Sequence, residues 1–567
     1  MLGSIYAMVA VALTLSIGVL RFLNFSIPGL FMIGGMVTWA LVRGGTPWPL
    51  AAGAALIAGA LASLVVERFT WRWMRSAQHF VPLVSSMAFL LLFEHLAVIY
   101  WGSELRTLPA LFGTSDWRVA GLVISLPQLA GLLCSIALIW ALTLVLARTR
   151  LGRGLRTIAE DSDTALLLGV DINRIVPLVF LISGLFAALA GVIFALNYRQ
   201  VHPFMGEVVG LKGISAMIVG GMGNVWGSIA GGLIIGLVEV MSIGYFGAET
   251  AAAHLVHPSD RIVRRRNRRA GARMSGYLEG VLVLLAVNVV FAYGGFLPLA
   301  AGQLNLGLAG FAAIGAYASA YLSNVFKLSP LIAIPFAGVV AGAVALIVAV
   351  PVLRTRGIYL ALATFALGQI VQAIILNLEV VGGAAGYPVA AFIRLPTIAA
   401  AAAIVVALVW LLFATRFGIA VTAVHDDEGA ADLMGIDVRA FQIAAFALGS
   451  AIAGIGGGLY AHHFSFIEAQ YFNISLSITI VLYVLLGGTQ TVIGPLLGAA
   501  VFTLLPEVLR ASANWRYAAF AAALIVIMAL RPEGLVTGAQ LRRLLGSNRA
   551  EPRHRAVAAG LPKGGAG

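Results

Sequence analysis

Thr149-Arg150-Leu151-Gly152 runs on to Glu160-Asp161 and Leu166-Leu167-Leu168-Gly169-Val170-Asp171, and the pattern returns as Thr415-Arg416-Phe417-Gly418, Asp426-Asp427 and Ala431-Asp432-Leu433-Met434-Gly435-Ile436-Asp437. The Thr, Arg, Gly, paired acids, aliphatic, Gly and Asp keep a constant offset of 266 residues. Long apolar stretches flank both copies, and a charged loop repeated at one spacing is the mark of an internal duplication. Each copy reads as a short helix at a membrane surface. Two acids open it, where the helix dipole favours negative charge. A glycine follows its last aliphatic residue, where helices commonly stop. Leu167 and Leu168, or Leu433 and Met434, are left as a blunt apolar end facing the cytosol. A loop helix packed on its own bundle is the plainer reading of one copy, but it does not account for two.

Working outward, the composition sets the class. The chain of 567 residues is 61% hydrophobic and 10% charged. A bilayer-crossing helix takes about 20 mostly apolar residues, and such stretches run almost end to end. The expected fold is all-α: a polytopic transmembrane helical bundle of two parallel homologous halves, embedded in the lipid bilayer. The net charge of +13 comes mostly from Arg between the spans, which fits retention of cytoplasmic loops. Nothing resembles a nucleic-acid surface, so no nucleic acid is expected as a partner. The single cysteine, Cys134, excludes an intrachain disulfide.

Expected spans in the first half are residues 3–20, 24–42, 47–66, 81–101, 122–147, 176–197 and 226–246, with a Gly-rich, broken or re-entrant stretch over 210–236. Those in the second half are 277–297, 301–323, 329–352, 357–377, 396–413, 441–463, 476–510 in two pieces, and 515–531. The domain reading is 1–246 as first half, 247–273 as basic linker, 274–537 as second half and 538–567 as polar tail. The duplication extends past the loop. Asn24, Gly29 and Gly34 match Asn305, Gly310 and Gly315 at an offset of 281, and Gly220-Gly221, Gly227 and Gly231 match Gly487-Gly488, Gly494 and Gly498 at 267. Charged loops keep the same side in both halves, so the repeat is parallel and not inverted.

Catalytic signals are absent. There is no phosphate-binding Gly-x-x-x-x-Gly-Lys-Ser/Thr loop, no metal-ligand spacing and no nucleophile elbow. The chain therefore reads as a non-enzyme with no cofactor and no energy source of its own. Polar residues within spans are the pathway or helix-break candidates: Asn24, Asn305, Glu94 and Gln369, with Gln372 nearby. A carboxylate at membrane depth is costly, so Glu94 is expected to face the bundle interior. His462 and His463 near Glu468 point in different directions and read as solvated residues near the outer surface, not as a metal site.

The two loops, with Asn24-Phe25-Ser26, Gly220-Gly221-Met222-Gly223, Asn305-Leu306-Gly307, Arg356-Gly357-Ile358-Tyr359-Leu360-Ala361 and Arg531-Pro532-Glu533-Gly534-Leu535, resemble those of the branched-chain amino acid (Liv-type) ABC importer permeases. Residues 1–246 resemble the first permease subunit of that system and 274–537 the second. The resemblance implies a fused permease in the bacterial inner membrane. A periplasmic solute-binding protein and two cytosolic ABC ATPase subunits are its implied partners. The ATPases would contact Glu160, Asp161, Leu167, Leu168, Gly169 and Asp171 on one loop, and Asp426, Asp427, Leu433, Met434, Gly435 and Asp437 on the other. Gln369 departs from the family pattern, where many relatives carry Glu. Branched-chain amino acids are the implied solutes, with urea, short amides or another small solute as the alternative within the class. An autonomous secondary transporter is the alternative outside it, but it leaves the duplicated loop unexplained.

The halves differ at one place. The second ends in an apolar span, Trp515 to Leu530, and the Arg-Pro-Glu-Gly-Leu run. At the repeat offset the first half instead turns, after Tyr245-Phe246, into a sequence with seven Arg between Arg261 and Arg273. Two readings stay open. A reading-frame shift has replaced a closing span and joined two genes near Met274, or the Arg cluster stays cytosolic and changes the number of crossings before it.

Overall fold

The structure is a computed structural model that describes residues 1–20, 22–72, 81–109, 116–119, 122–246, 270–510, 515–531 and 534–536. The first half runs through α1 (Leu2–Leu20), α2 (Ile27–Arg43), α3 (Trp48–Val66) with a π-helical turn at Glu67–Arg72, α4 (Val81–Trp101) and α5 (Leu126–Arg148). It continues through α6 (Arg150–Glu160), α7 (Ser162–Leu167), α8 (Ile172–Tyr198), α9 (Met205–Gly220) and α10 (Val225–Phe246). The second half repeats the series: α11 (Ala270–Ala300), α12 (Leu308–Val325), α13 (Pro330–Val352), α14 (Ile358–Asn377), α15 (Leu395–Ala414), α16 (Arg416–Asp426), α17 (Glu428–Leu433), α18 (Val438–Phe464), α19 (Ile474–Gly487) and α20 (Gly494–Val508). A last helix, α21 (Arg516–Leu530), closes it. Among the described residues, eleven helices are long and apolar enough to cross a membrane, and four more are apolar but shorter. The chain is a multi-pass, all-α membrane protein.

Small residues set the core of each half. The β-carbon of any larger residue at Gly34 of α2 would collide with the Ala188 carbonyl of α8, and at Gly315 of α12 with the Gly454 carbonyl of α18. Gly34 and Gly315 are repeat mates, as are Ala188 and Gly454, so one close helix crossing occurs twice. Backbone approach of this kind is how helices associate where lipid is as apolar as the side chains.

Most expected spans match helices, with shifted bounds. The stretches 22–26 and 301–307 are not helical, so the second span of each half starts later than its apolar run. The region from Gly210 to Phe246 is two helices, α9 and α10, joined by a turn at Gly221–Asn224, and it matches α19 and α20. The antiparallel pairing of α1 with α10, in which Gly3 lies by Gly236 and Gly18 by Gly223, puts Phe246 on the face opposite the duplicated loops. The pairing of α11 with α18 puts Ala270 on that same face, because Gly294 and Pro298 approach Gly449 and Ala453. The Arg cluster that joins these two ends lies outside the described residues, apart from Arg273 within α11.

Short antiparallel ladders tie the outer loops and were not foreseen. β1 (Arg106–Thr107) pairs with β4 (Gln200–Val201), with Arg106 opposite Val201. β5 (Tyr387–Pro388) pairs with β6 (Phe466–Ile467), with Tyr387 opposite Ile467. These pairs are repeat mates too. A hairpin of β2 (Asp116–Val119) and β3 (Leu122–Ser125) occurs in the first half.

The halves meet where α21, the end of the second half, packs along α4 of the first. The Arg531–Leu535 motif then returns the chain to α19. Leu535 N–H donates to the Leu486 carbonyl at 2.9 Å and Val536 N–H to the Gly487 carbonyl at 3.0 Å. Those carbonyls belong to the last turn of α19, which has no donors of its own to offer them. Gly534 makes the return possible: its φ is +94, and a β-carbon there would fall 2.5 Å from Gly488 Cα.

Candidate functional site

Each duplicated loop is a pair of helices on one face of the bundle. Thr149 caps α6 by accepting from Gly152 N–H at 3.1 Å, and Thr415 caps α16 by accepting from Phe417 N–H at 3.2 Å. The paired acids divide their work. Glu160 and Asp426 end these first helices, whereas Asp161 and Asp427 stand in extended backbone between the helix pairs. Asp427 caps α17 through Gly429 N–H at 2.8 Å and Ala430 N–H at 3.0 Å. Asp161 accepts from the Thr164 hydroxyl at 2.6 Å. Of each acid pair, therefore, only the second stands at the start of the short helix. The sequence pattern missed α6 and α16, which the Arg-rich and Gly-containing runs 150–156 and 416–422 disguise as loop.

The short helices end as expected. Gly169 and Gly435 have φ of +81 and +82. Val170 N–H donates back to the Ala165 carbonyl at 3.0 Å, and Ile436 N–H to the Ala431 carbonyl at 3.1 Å. This is a C-terminal cap of the left-handed kind. It projects Leu167, 88% exposed, Leu168, Leu433, 89% exposed, and Met434, 84% exposed, off the end of each helix. Asp171 and Asp437 then cap the next spans, accepting from Asn173 N–H at 3.1 Å and Ala440 N–H at 3.0 Å. Their geometry is that of helix starts, and both remain exposed.

The surroundings of the two loops differ. Beside α7 lies a shallow groove of about 360 Å³ lined by Arg150, Arg153, Thr157, Asp171 and Arg174. Beside α17, Glu428 pairs with Arg356 at 3.3 Å and accepts from Gln442 at 2.9 Å. Arg356 opens the Arg-Gly-Ile-Tyr-Leu-Ala motif, so that motif braces the second loop; its distance in sequence hid this role.

The candidates within the spans separate. Asn24 and Asn305 are buried, and each side-chain carbonyl turns the chain into the following helix. Asn24 accepts from Ser26 N–H at 3.0 Å and Asn305 from Gly307 N–H at 2.9 Å. Phe25 N–H donates to Ser86 Oγ, and Leu306 N–H to Thr364 Oγ1, both at 3.0 Å. This matched pair fixes the register of α4 on α14 at an offset of 278. Glu94 then corresponds to Gln372, and Gln369 corresponds to Leu91. Glu94 is buried with Oε1 unpartnered among the described residues, and Glu207 of α9 is its electrostatic neighbour. Gln372 is half-buried and donates to the Ala469 carbonyl at 3.1 Å. Gln369 is half-buried on α14.

His462 corrects an expectation: it is buried, not solvated. Its ring bonds the Ala391 carbonyl at 2.8 Å and lies 3.4 Å from the Ser323 hydroxyl, since the outer loop before α15 folds over it. A cluster that sequence reading missed joins α1, α9 and α10. Lys212 pairs with Glu239 at 2.5 Å, and Tyr6 donates to Glu239 at 2.8 Å. Its residues are far apart in sequence and have no charged repeat mates, so no pattern marked them. Among the described residues no group of His, Cys, Asp and Glu is placed to hold a metal ion.

The sequence pattern of a family described as "Branched-chain amino acid transport system / permease component" matches residues 1–258 and again 277–530. The chain belongs to this family. The chain is similar to the high-affinity branched-chain amino acid transport system permease protein LivH of Salmonella typhimurium, 32% identical over an alignment of 266 positions that covers 44% of this chain and 85% of the relative. It is also 30% identical to the corresponding protein BraD of Pseudomonas aeruginosa over 260 residues, 43% of this chain and 84% of the relative. Over an alignment of 309 positions it is 27% identical to the high-affinity branched-chain amino acid transport system permease protein LivM of Escherichia coli, covering 48% of this chain and 71% of the relative. No solved structure matches the chain. The double match and the LivH-like and LivM-like relatives identify a fused permease of the branched-chain amino acid ABC transporter class, a multi-pass protein of the inner membrane.

Proposed function

We propose that this permease is the whole membrane-spanning pair of an ABC importer, with residues 1–246 and 274–537 as its two halves, 247–273 as linker and 538–567 as tail. It takes branched-chain amino acids from a periplasmic binding protein. Two separate cytosolic ATPases supply the energy by docking on α7 and α17. ATP binding and hydrolysis then bias the halves between outward- and inward-open packings, a rigid-body switch. The observation that carries the reading is the pair of apolar helix ends, Leu167-Leu168 and Leu433-Met434, projecting from one face at one repeat offset. Four large apolar side chains this exposed at a water-facing loop suit a partner's cleft. The relatives' described transport of branched-chain amino acids supports the solute class.

Reconstitution with two ABC ATPase subunits and a periplasmic binding protein of the same transporter class tests this. Leu167→Asp with Leu433→Asp should abolish ATPase co-purification while the permease still inserts. Unchanged co-purification and uptake would refute the docking assignment. Saturable leucine uptake that urea and acetamide do not compete for is the expected solute profile.

A further inference from the structure

The helix that closes the second half has a seat on the first, and the register of the repeat shows where its mate belongs. α21 packs along α4, with the Tyr517 ring on His95, and Val81, Ser85 and Ala88 of α4 are buried, Ser85 against the Thr70 hydroxyl of the π-helical turn at 3.1 Å. At the offset fixed by Ser86 and Thr364, these residues correspond to Tyr359, Ala363 and Ala366 of α14; Leu92, His95 and Leu96 correspond to Ile370, Ala373 and Ile374. Those six positions recur at intervals of three and four and share one helix face. On α4 none of their mates is exposed; on α14, Tyr359, Ile370, Ala373 and Ile374 are, with Ile370 at 58% and Ile374 at 57%.

A second opening tells the same story at a distance. Leu486, whose carbonyl receives the return of the chain after α21, is fully buried, whereas its repeat mate Val219, at the end of α9, is 60% exposed. One further element, not present among the described residues, would account for both: a helix on α14 that ends in a return to α9. The sequence 247–269 holds no apolar run of span length and carries Arg261, Arg264, Arg265, Arg266, Arg268 and Arg269.

We infer that the face of α14 from Tyr359 to Ile374 is the docking seat of a second closing helix. Its occupant is an apolar span of the α21 type, running from the outer face inward and ending in a glycine-bearing return that covers Val219. The small side chains Ala363, Ala366 and Ala373 leave room for close helix approach. The inference rests on the repeat geometry alone, so it stands or falls apart from the proposed function.

The test uses the full chain with Cys134→Ser, reconstituted from detergent into liposomes together with a synthetic peptide of residues 509–536 carrying Tyr517→Cys. In the parent fold the Tyr517 ring lies 4.9 Å from that of His95, the mate of Ala373. The full chain with His95→Cys and Tyr517→Cys sets the yield of a seated pair. Ala373→Cys should form a disulfide adduct with the peptide, at least several-fold more than Val339→Cys, which is also exposed on a span. The peptide should also slow maleimide labelling of Val219→Cys several-fold. Equal adducts at Ala373→Cys and Val339→Cys would mean that lipid covers this face, and would overturn the inference.

Discussion

The Tyr517 ring of the second half lies 4.9 Å from the His95 ring of the first, tilted by 41°, and Phe204 flanks the same imidazole at 6.3 Å. These residues are 422 positions apart in sequence and belong to different repeats. The seam between the halves is therefore made by a terminal helix reaching across, so the end of one repeat helps to hold the other.

Removing this ring should loosen the seam. An aromatic pair contributes about 0.5–1.5 kcal/mol beyond its buried area. Tyr517→Ala is expected to lower the melting temperature of the detergent-extracted permease by a few degrees, while Tyr517→Phe leaves it near the parent value. Equal melting of the alanine variant and the parent would show that the ring contact contributes nothing.

The positive φ of Gly169 and Gly435 makes a sharper test of the proposed docking role of α7 and α17. No atom lies within 4 Å of a β-carbon built at either site, so any penalty is conformational and not steric. A left-handed backbone costs an ordinary residue about 1–2 kcal/mol, whereas Asn tolerates it. Gly169→Val with Gly435→Val should uncouple ATP hydrolysis from uptake, and the paired Asn variant should restore coupling. The same transport rate in all three proteins would remove the cap from the mechanism.

Asp427 offers a graded version of the same experiment. It accepts two backbone N–H groups at the start of α17, and loss of such a cap costs about 1 kcal/mol. Asp427→Ala should weaken ATPase co-purification several-fold, and Asp427→Asn should largely keep it. If both variants bind alike, the helix is held by Glu428 and its partners instead.

Those loops were legible in the sequence because charge, glycine and a fixed offset coincide there. The spans were legible because bilayer thickness dictates their length. What the sequence hid was tertiary. The ladders Arg106 to Val201 and Tyr387 to Ile467 join residues about 80 to 95 apart in sequence and carry no alternating pattern, since each is two residues long. Lys212 and Glu239 each look like a stray charge until α9 and α10 bring them together. The α4–α14 register could not be read from spacing, since the loop before each helix differs in length between the halves. It took two hydroxyl–amide bonds to set Glu94 against Gln372 and not against Gln369.

His202 gives a pH dependence whose sign follows from its place in the outer loop between α8 and α9. Burial pushes its imidazole below the usual 6.5, so the fold prefers the neutral ring. The stability this contributes is present above about pH 6.5 and is lost as pH falls through that value toward the lower folded one. Melting temperature should therefore fall on acidification from pH 7 to 5.5, and His202→Gln should flatten that part of the profile. An unchanged slope in the variant would place the acid sensitivity elsewhere.

Glu94 and Gln372 are the same position in two halves, one an acid and one an amide. Glu94 is buried in α4 with Oε1 unpartnered among the described residues, and Glu207 is a second acid nearby. Gln372 meets the same depth with a neutral group and a bond to the Ala469 carbonyl. A buried oxygen left without a hydrogen-bond partner costs about 1–3 kcal/mol, so the first half carries a cost that the second avoids. Glu94→Gln should therefore melt at or above the parent temperature, and Gln372→Glu should melt below it. The double exchange should fall between the two single variants. If Glu94→Gln is instead destabilised, the carboxylate has a partner in the membrane that only the acid satisfies. Uptake by the stable Glu94→Gln protein then separates packing from transport: full activity confines Glu94 to structure, and a several-fold loss places its carboxyl group on the solute path.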